Sequence, residues 1–141
     1  TSSAPGAPDP VVLCGDPTVR FYGNSYMNHP DHRVAAEVAL DAVFPSASTR
    51  FIFPELLIEG YEPHQVKTIF IHGAVKSETY IDISTTIDVK IAALKEHQSQ
   101  LGDWDPTEMM KAWAREDAQA HGLEAVEGFR VMILKKEEEK T

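Results

Sequence analysis

Short β-type runs alternate with helix-like segments along this 141-residue chain, and this alternation constrains the fold more than any other feature. The runs with β character lie at residues 11–14, 66–72, 79–83 and 129–134. Strands that alternate with helices predict an α/β fold in which helices cover a small sheet. Because the first strand follows a short linker-like lead, the sequence looks like part of a larger α/β unit.

The helix predicted over residues 30–43 has the best-marked beginning. Pro30 tolerates the first helical position, and Asp31 is favoured at the positive end of the helix dipole. Pro45 ends the helix. Its predicted apolar stripe consists of five residues, Val34, Ala35, Val38, Ala39 and Ala42.

Two further helices are indicated in the second half of the chain. Ser84 or Thr85 can cap a helix that runs to about residue 98. Asp105 can cap another, which is predicted to end before Gly122, a residue suited to the position after a helix. Residues 1–10 are interpreted as a flexible lead, and residues 136–141 as a charged tail.

The composition excludes several classes of partner. A net charge of −9 argues against non-specific binding to nucleic acid, whose phosphates would be repelled. No apolar run approaches the roughly 20 residues of a membrane span. The single cysteine, Cys14, excludes an internal disulfide, and this weakly favours a cytoplasmic location. Cys14 itself is expected to be a buried small hydrophobic residue. The sequence leaves the oligomeric state open.

The segment Asn28-His29-Pro30-Asp31-His32 carries the strongest indication of chemistry. Two histidines three residues apart at a helix start can lean toward one side, and the helix N-terminus favours neutral, metal-binding imidazoles. Asp31 could orient a histidine. Two histidines do not complete a zinc site, however, and the alternative is that His29 and His32 only cap and decorate the helix.

Further short sequence motifs accompany this segment along most of the chain. They are DPT at 16–18, RFYGN at 20–24, HPDHR at 29–33, PEL at 54–56, EG at 59–60, PH at 63–64, DI at 82–83, KIAAL at 90–94, HQSQ at 97–100 and EGFR at 127–130. Together they resemble the downstream signature blocks of the LmbE-like (PIG-L) de-N-acetylases, over residues 9–134. The resemblance implies a Rossmann-like layered sheet and a Zn²⁺-dependent hydrolase of N-acetyl amino sugars or related conjugates.

The resemblance also assigns roles to individual residues. It implies that His32 is a zinc ligand, that His29 assists at the reacting carbonyl or leaving amine, and that Asp31 supports the histidines. A tyrosine just upstream is expected to contact the oxyanion, and Tyr22 and Tyr26 are both candidates.

Four more residues are candidates for substrate binding. Asp16 and Arg20 flank the loop after the first strand, where the alternative is a turn with a surface ion pair. His97 and Gln100 fall in a matching block, where the alternative is helix termination. The loops at 17–28 and 46–65 are expected to select the substrate.

One signature block of the family has no counterpart here. Members carry an upstream His-Pro-Asp-Asp-Glu block that supplies the other two zinc ligands and the general base, and residues 1–28 contain no histidine. We therefore interpret residues 11–135 as the C-terminal part of one α/β deacetylase domain, without its N-terminal βα units. The chain is expected to be inactive without that segment, supplied in cis or on another chain. The alternatives are a non-catalytic relative that binds a glycan or small metabolite, and a structural interaction domain.

Overall fold

The structure is a computed structural model that describes residues 10–134, so the predicted tail and all but the last residue of the predicted lead lie outside it. The described strands are β1 (Val11–Gly15), β2 (Phe21–Tyr22), β3 (Tyr26–Met27), β4 (Thr68–His72), β5 (Thr79–Asp82) and β6 (Val126–Ile133). The α-helices are α1 (Pro30–Val43), α2 (Glu55–Ile58), α3 (Ile87–Lys95), α4 (Gln98–Leu101) and α5 (Thr107–Ala118), with 3₁₀ turns at Ser46–Ser48 and Gln119–His121.

Four of the strands form a mixed sheet in the order β1-β4-β6-β5, which confirms the predicted α/β class. β1 and β4 run parallel, with Val11 opposite Thr68 and Gly15 opposite His72. β5 and β6 are antiparallel. Residues 10–77 with 130–134 form one compact unit, and residues 78–129 form a second.

The core of the first unit lies between its strands and α1. The main cluster of buried apolar side chains in this unit consists of Cys14, Val43, Ile69 and Ile71. Side chains alternate along a strand, so Val12 and Cys14 point to the face that α1 covers. The prediction that Cys14 is a buried small hydrophobe is confirmed, since 8% of it is exposed and burial raises the pKa of its thiol.

Helix α1 has the predicted bounds, but the predicted apolar stripe packs only in part. Ala36 and Val43 are the buried residues of the helix, whereas Val34 and Val38 are 56% and 60% exposed. Ala36 packs against the sheet because it is small, and a Cβ on Gly15 would lie 3.6 Å from its Cβ. Ala39 of the stripe packs against the core of the sheet, whereas Ala35 and Ala42 are exposed.

The second unit contains the two later helices. Helix α3 begins at Ile87 and ends at Lys95, with Thr86 at its N-cap, so the predicted cap at Ser84 or Thr85 is wrong. The Ser84 hydroxyl donates instead to Asp82, which is a local turn that competes with capping.

The predictions for the start and the end of the next helix agree more closely with the structure. The N-cap residue of α5 is Pro106, one position after the predicted Asp105, but Asp105 still accepts a hydrogen bond of 2.9 Å from the backbone N–H of Thr107, the first residue of the helix. Gly122 follows the helical segment, as predicted, and it adopts the left-handed conformation at φ 65°. No helix in the part of the chain that the structure describes is long and apolar enough to cross a bilayer.

Candidate active site

A cavity of about 400 Å³ lies in the first unit, where β1 and β4 end beside the first turns of α1. Ligand sites in open α/β sheets are found at the carboxyl ends of the strands. The cavity is lined by Leu13, Cys14, Gly15, Asp16, Tyr22, Asn28, His32, Ala35, Ala36, Ala39 and His72. Three of the predicted site residues, Asp16, Tyr22 and His32, are therefore brought together.

Asp16 is a buried carboxylate directly after β1, with 7% of its surface exposed. Its Oδ1 accepts hydrogen bonds from the backbone N–H and the hydroxyl of Thr18, at 2.8 and 2.6 Å. These bonds close a turn and hold the carboxylate at the cavity. Asp16 can therefore form the turn and also belong to the candidate site.

Tyr22 lies on the short hairpin formed by β2 and β3, and it is the tyrosine that lines the cavity. Its hydroxyl donates a hydrogen bond of 3.3 Å to the carbonyl of Gly73. Burial, and then the charge of Asp16, raise the pKa of Tyr22, so the phenol keeps its proton at neutral pH. Tyr26 packs against Tyr22 with ring centroids 5.9 Å apart but is not among the lining residues.

Glycine is required at position 73 because Tyr22 lies so close. Gly73 has φ 66°, and a Cβ at this position would lie 2.7 Å from the Tyr22 hydroxyl oxygen. A larger residue would therefore be strained in its backbone and would displace the tyrosine.

The segment before α1 is tied down by a buried asparagine. The Asn28 side chain donates to the carbonyl of Val19 at 2.9 Å, and its backbone N–H donates to the carbonyl of Arg20 at 2.9 Å. Arg33 in turn donates a short hydrogen bond to the Asn28 carbonyl. These bonds fix where the helix begins and so fix the position of the two histidines. Arg20 itself is exposed and is not among the lining residues.

His29 is the N-cap residue of α1. Its Nδ1 accepts a hydrogen bond of 3.1 Å from the backbone N–H of Asp31, and the Asp31 carboxylate lies 3.6 Å from the same nitrogen. Because Nδ1 accepts, the proton of the neutral ring is on Nε2. The ring centroids of His29 and His32 are 5.8 Å apart, so His29 lies beside the cavity and His32 lines it.

His72 also lines the cavity, and it is a site residue that no predicted motif included. It ends β4 opposite Gly15, and a Cβ on Gly15 would lie 3.7 Å from the imidazole Nε2. Its position as the last residue of a predicted strand was the available signal. His97 and Gln100 lie in the second unit, where His97 precedes α4 without a side-chain cap bond.

A zinc ion requires more ligands than this cavity provides. His32 has suitable chemistry, but a catalytic zinc usually takes three protein ligands and water. Within residues 10–134 no group of three or more His, Cys, Asp or Glu side chains is arranged to hold a metal ion. The described residues alone therefore do not fit a complete zinc site.

Comparison with known proteins identifies the family. The chain is 31% identical over 101 residues to the diacetylchitobiose deacetylase of Thermococcus kodakarensis, a match that covers 68% of this chain and 36% of that protein. The chain belongs to the LmbE-like (PIG-L) deacetylase family. The family resemblance predicted from the sequence is thereby confirmed, although no family model matches the chain.

Two solved structures share the fold of this family member. The N,N'-diacetylchitobiose deacetylase of Pyrococcus horikoshii, in complex with its inhibitor MPG, superposes with a TM-score of 0.73 at 28% identity, over 89% of this chain and 46% of that one. A conserved protein from Thermus thermophilus superposes at 0.64 and 23% identity, over 89% of this chain and 53% of that one, and shows the fold alone. The chain thus spans about half the length of these structures and about a third of the curated relative.

Proposed function

We propose that the complete protein containing this chain is a zinc-dependent N-deacetylase that hydrolyses the N-acetyl group of an amino sugar or a related conjugate. One observation carries the proposal. Asp16, Tyr22 and His32 share one cavity beside the capped start of α1, in a chain that is 31% identical to a diacetylchitobiose deacetylase. The cavity's carboxylate, phenol and imidazole suit the hydroxyl and amide groups of such a substrate.

His32 is proposed as one ligand of the zinc ion, whose remaining ligands lie outside residues 10–134. A zinc ion in such a site supplies Lewis acidity and a water of lowered pKa. The proposal rests on the position of His32 in the cavity, one residue beyond Asp31 in the first turn of α1. This chain alone is therefore expected to be inactive, and the remaining ligands come from a segment in cis or on another chain.

His29 is proposed as the group that donates a proton or hydrogen bond at the reacting amide. Its Nδ1 is engaged by the Asp31 N–H, which leaves Nε2–H as the donor. The N-terminus of α1 places further positive potential at this point, which favours negative charge developing on the carbonyl oxygen. Tyr22 keeps its phenolic proton and is proposed as a second donor, once its hydroxyl exchanges the bond to the Gly73 carbonyl for one to the substrate. Asp16 is proposed as an acceptor for a substrate hydroxyl.

The test measures zinc and acetate release in the complete protein. Elemental analysis should find about one zinc per molecule in the wild type, and incubation with N,N'-diacetylchitobiose should release acetate. His32→Ala should lose both, whereas His64→Ala is the matched control, because His64 is exposed and outside the cavity lining.

Two outcomes would overturn parts of the proposal. Full zinc content in His32→Ala would remove His32 from the ligand set. A complete protein that neither binds zinc nor releases acetate would favour the non-catalytic relative, which can be tested by binding of the same disaccharide.

A further inference from the structure

The imidazole of His72 lines the cavity without a partner inside the chain. Among residues 10–134 it forms no hydrogen bond, ion pair or ring contact. Other lining side chains that carry nitrogen or oxygen are already engaged, since those of Asp16, Tyr22 and Asn28 form hydrogen bonds within the chain. His32 is the proposed zinc ligand. His72 is therefore the polar group of this wall that is available to a bound molecule.

The sheet fixes the point from which His72 reaches the cavity. His72 is the last residue of β4 and lies opposite Gly15, the last residue of β1, in a parallel pair. Parallel strands end at the same edge of a sheet, and ligands of open α/β sheets bind outside that edge. A residue on a strand is held more precisely than one on a loop, because its backbone belongs to the hydrogen-bonded ladder. The Cα of His72 is thus well placed to hold a ligand group in one position.

Gly15 leaves the Nε2 side of this imidazole accessible. A Cβ at position 15 would lie 3.7 Å from both Cε1 and Nε2 of His72 and 3.6 Å from the Cβ of Ala36. These are ordinary contact distances, so a methyl group would fit there and would cover this side of the ring. Because Gly15, Ala36 and His72 all line the cavity, the glycine keeps Nε2 within reach of a molecule in it.

The charges of the lining favour a neutral partner for His72. Among the described residues that line the cavity none is Lys or Arg, and Asp16 contributes a negative charge. A phosphate or carboxylate bound here would face this carboxylate without a lysine or arginine to pair with it.

A hydroxyl group matches the chemistry of the site better than an anion does. A hydroxyl both donates and accepts a hydrogen bond, and a neutral imidazole offers one N–H donor and one acceptor nitrogen. The wall also contains the apolar side chains of Leu13, Ala35 and Ala39, which suit the C–H groups of a sugar ring.

We propose that His72 binds a ring hydroxyl of the substrate, an N-acetyl amino sugar without a phosphate or carboxylate on the hydroxyl concerned. The choice of an amino sugar rests on the proposed function, whereas the role of His72 as a binding residue rests on its position and its lack of a partner. The hydrogen bond orients the sugar and takes no part in metal binding or proton transfer. Its loss should weaken binding and leave the zinc content unchanged.

Calorimetric titration of the complete polypeptide with glucosamine tests this inference without requiring turnover. Glucosamine has the ring hydroxyls of N-acetylglucosamine, and its monodeoxy analogues each lack a single one. The wild type should bind one of these analogues about 3- to 10-fold more weakly than glucosamine, which is the loss expected for one neutral hydrogen bond. In His72→Ala glucosamine itself should bind more weakly by about this factor, and its advantage over that analogue should disappear.

Two further variants separate hydrogen bonding from a general disturbance of the cavity. His72→Gln keeps a donor and an acceptor and should retain part of the affinity that His72→Ala loses. His64→Ala is the matched control, because His64 is exposed and outside the cavity lining, and it should bind glucosamine as the wild type does. Elemental analysis should find the same zinc content in all of these proteins.

Several results would overturn the inference. They are wild-type affinity in His72→Ala, an advantage of glucosamine over every analogue that survives this substitution, and a wild type that does not bind glucosamine. Loss of zinc in His72→Ala would instead make His72 a metal ligand. Tighter binding of a phosphorylated glucosamine that depends on His72 would assign the residue to an anion. Binding through His72 without acetate release would refute the deacetylase proposal and retain this one.

Discussion

The imidazole of His29 has a structural role and a proposed chemical role, and two substitutions can separate them. His29→Ala removes the Nδ1 that accepts the Asp31 backbone N–H at 3.1 Å. His29→Asn supplies a side-chain oxygen to the same N–H but no imidazole. Asparagine is among the preferred N-cap residues, so only the alanine variant should lose the cap.

The structural loss can be estimated from the position of His29. The cap lies at an exposed helix end, with 59% of the His29 side chain accessible, and α1 is a 14-residue helix that supplies buried Ala36 and Val43 to the unit. Loss of an N-cap acceptor costs about 1 kcal/mol of unfolding free energy. We expect this loss in His29→Ala and a change below about 0.5 kcal/mol in His29→Asn.

The chemical loss should be the same in both variants. If the Nε2–H of His29 acts on the amide, its removal should lower kcat of the complete protein by about 10²- to 10⁴-fold, as for other acid–base groups. Denaturant unfolding measures the first effect, and acetate release from N,N'-diacetylchitobiose measures the second. Near-normal turnover in His29→Asn would refute the chemical role, and unchanged stability in His29→Ala would refute the cap.

Three further predictions follow from the geometry. Hydrogen bonds from the hydroxyl and the backbone N–H of Thr107 lower the pKa of Asp105 from its ordinary value of 3.8 to about 2. The pKa of Asp105 is lower in the folded state than in the unfolded state, so its ionised form stabilises the fold above about pH 4. This stabilisation is lost as the pH falls toward about 2. Asp105→Asn should therefore show a smaller decrease of Tm between about pH 4 and pH 2 than the wild type. Ile71→Ala should cost about 2–5 kcal/mol in denaturant unfolding, because Ile71 is 4% exposed, whereas Val75→Ala at an 89% exposed site should change little. Tyr22→Phe removes the bond to Gly73 and should cost about 1 kcal/mol or less, and it should remove a tyrosine of raised pKa from the ultraviolet pH titration.

The elements that the sequence predicted correctly are those with local causes. Helix α1 begins at Pro30 because the residue before it caps the helix and proline suits the first turn, all within four residues of sequence. Gly122 adopts its left-handed conformation for an equally local reason. The predicted strands at 11–14 and 79–83 were found to within one residue, since their apolar runs are bounded by turn residues.

The errors concern choices that only tertiary structure makes. The sequence could not tell which face of α1 packs, because Val34 is as apolar as Val43 and only the position of the sheet decides between them. Nor could it bring His72 to the cavity, since that depends on the parallel register that puts His72 opposite Gly15. The helix start at Ile87 was missed because Ser84 bonds to its neighbour rather than to the helix.

The helix side of the cavity is held in place by residues of this chain, and this affects how the whole site would form. Asn28 is 5% exposed and bonds to the backbone at two points of the preceding loop, so the start of α1 is held in place by this chain's own residues. The backbone of His32, in the first turn, is therefore placed by residues of this chain. The remaining zinc ligands proposed for the complete protein would therefore meet a histidine whose backbone is already in place, so the ordering cost of completing the site would fall mainly on those ligands.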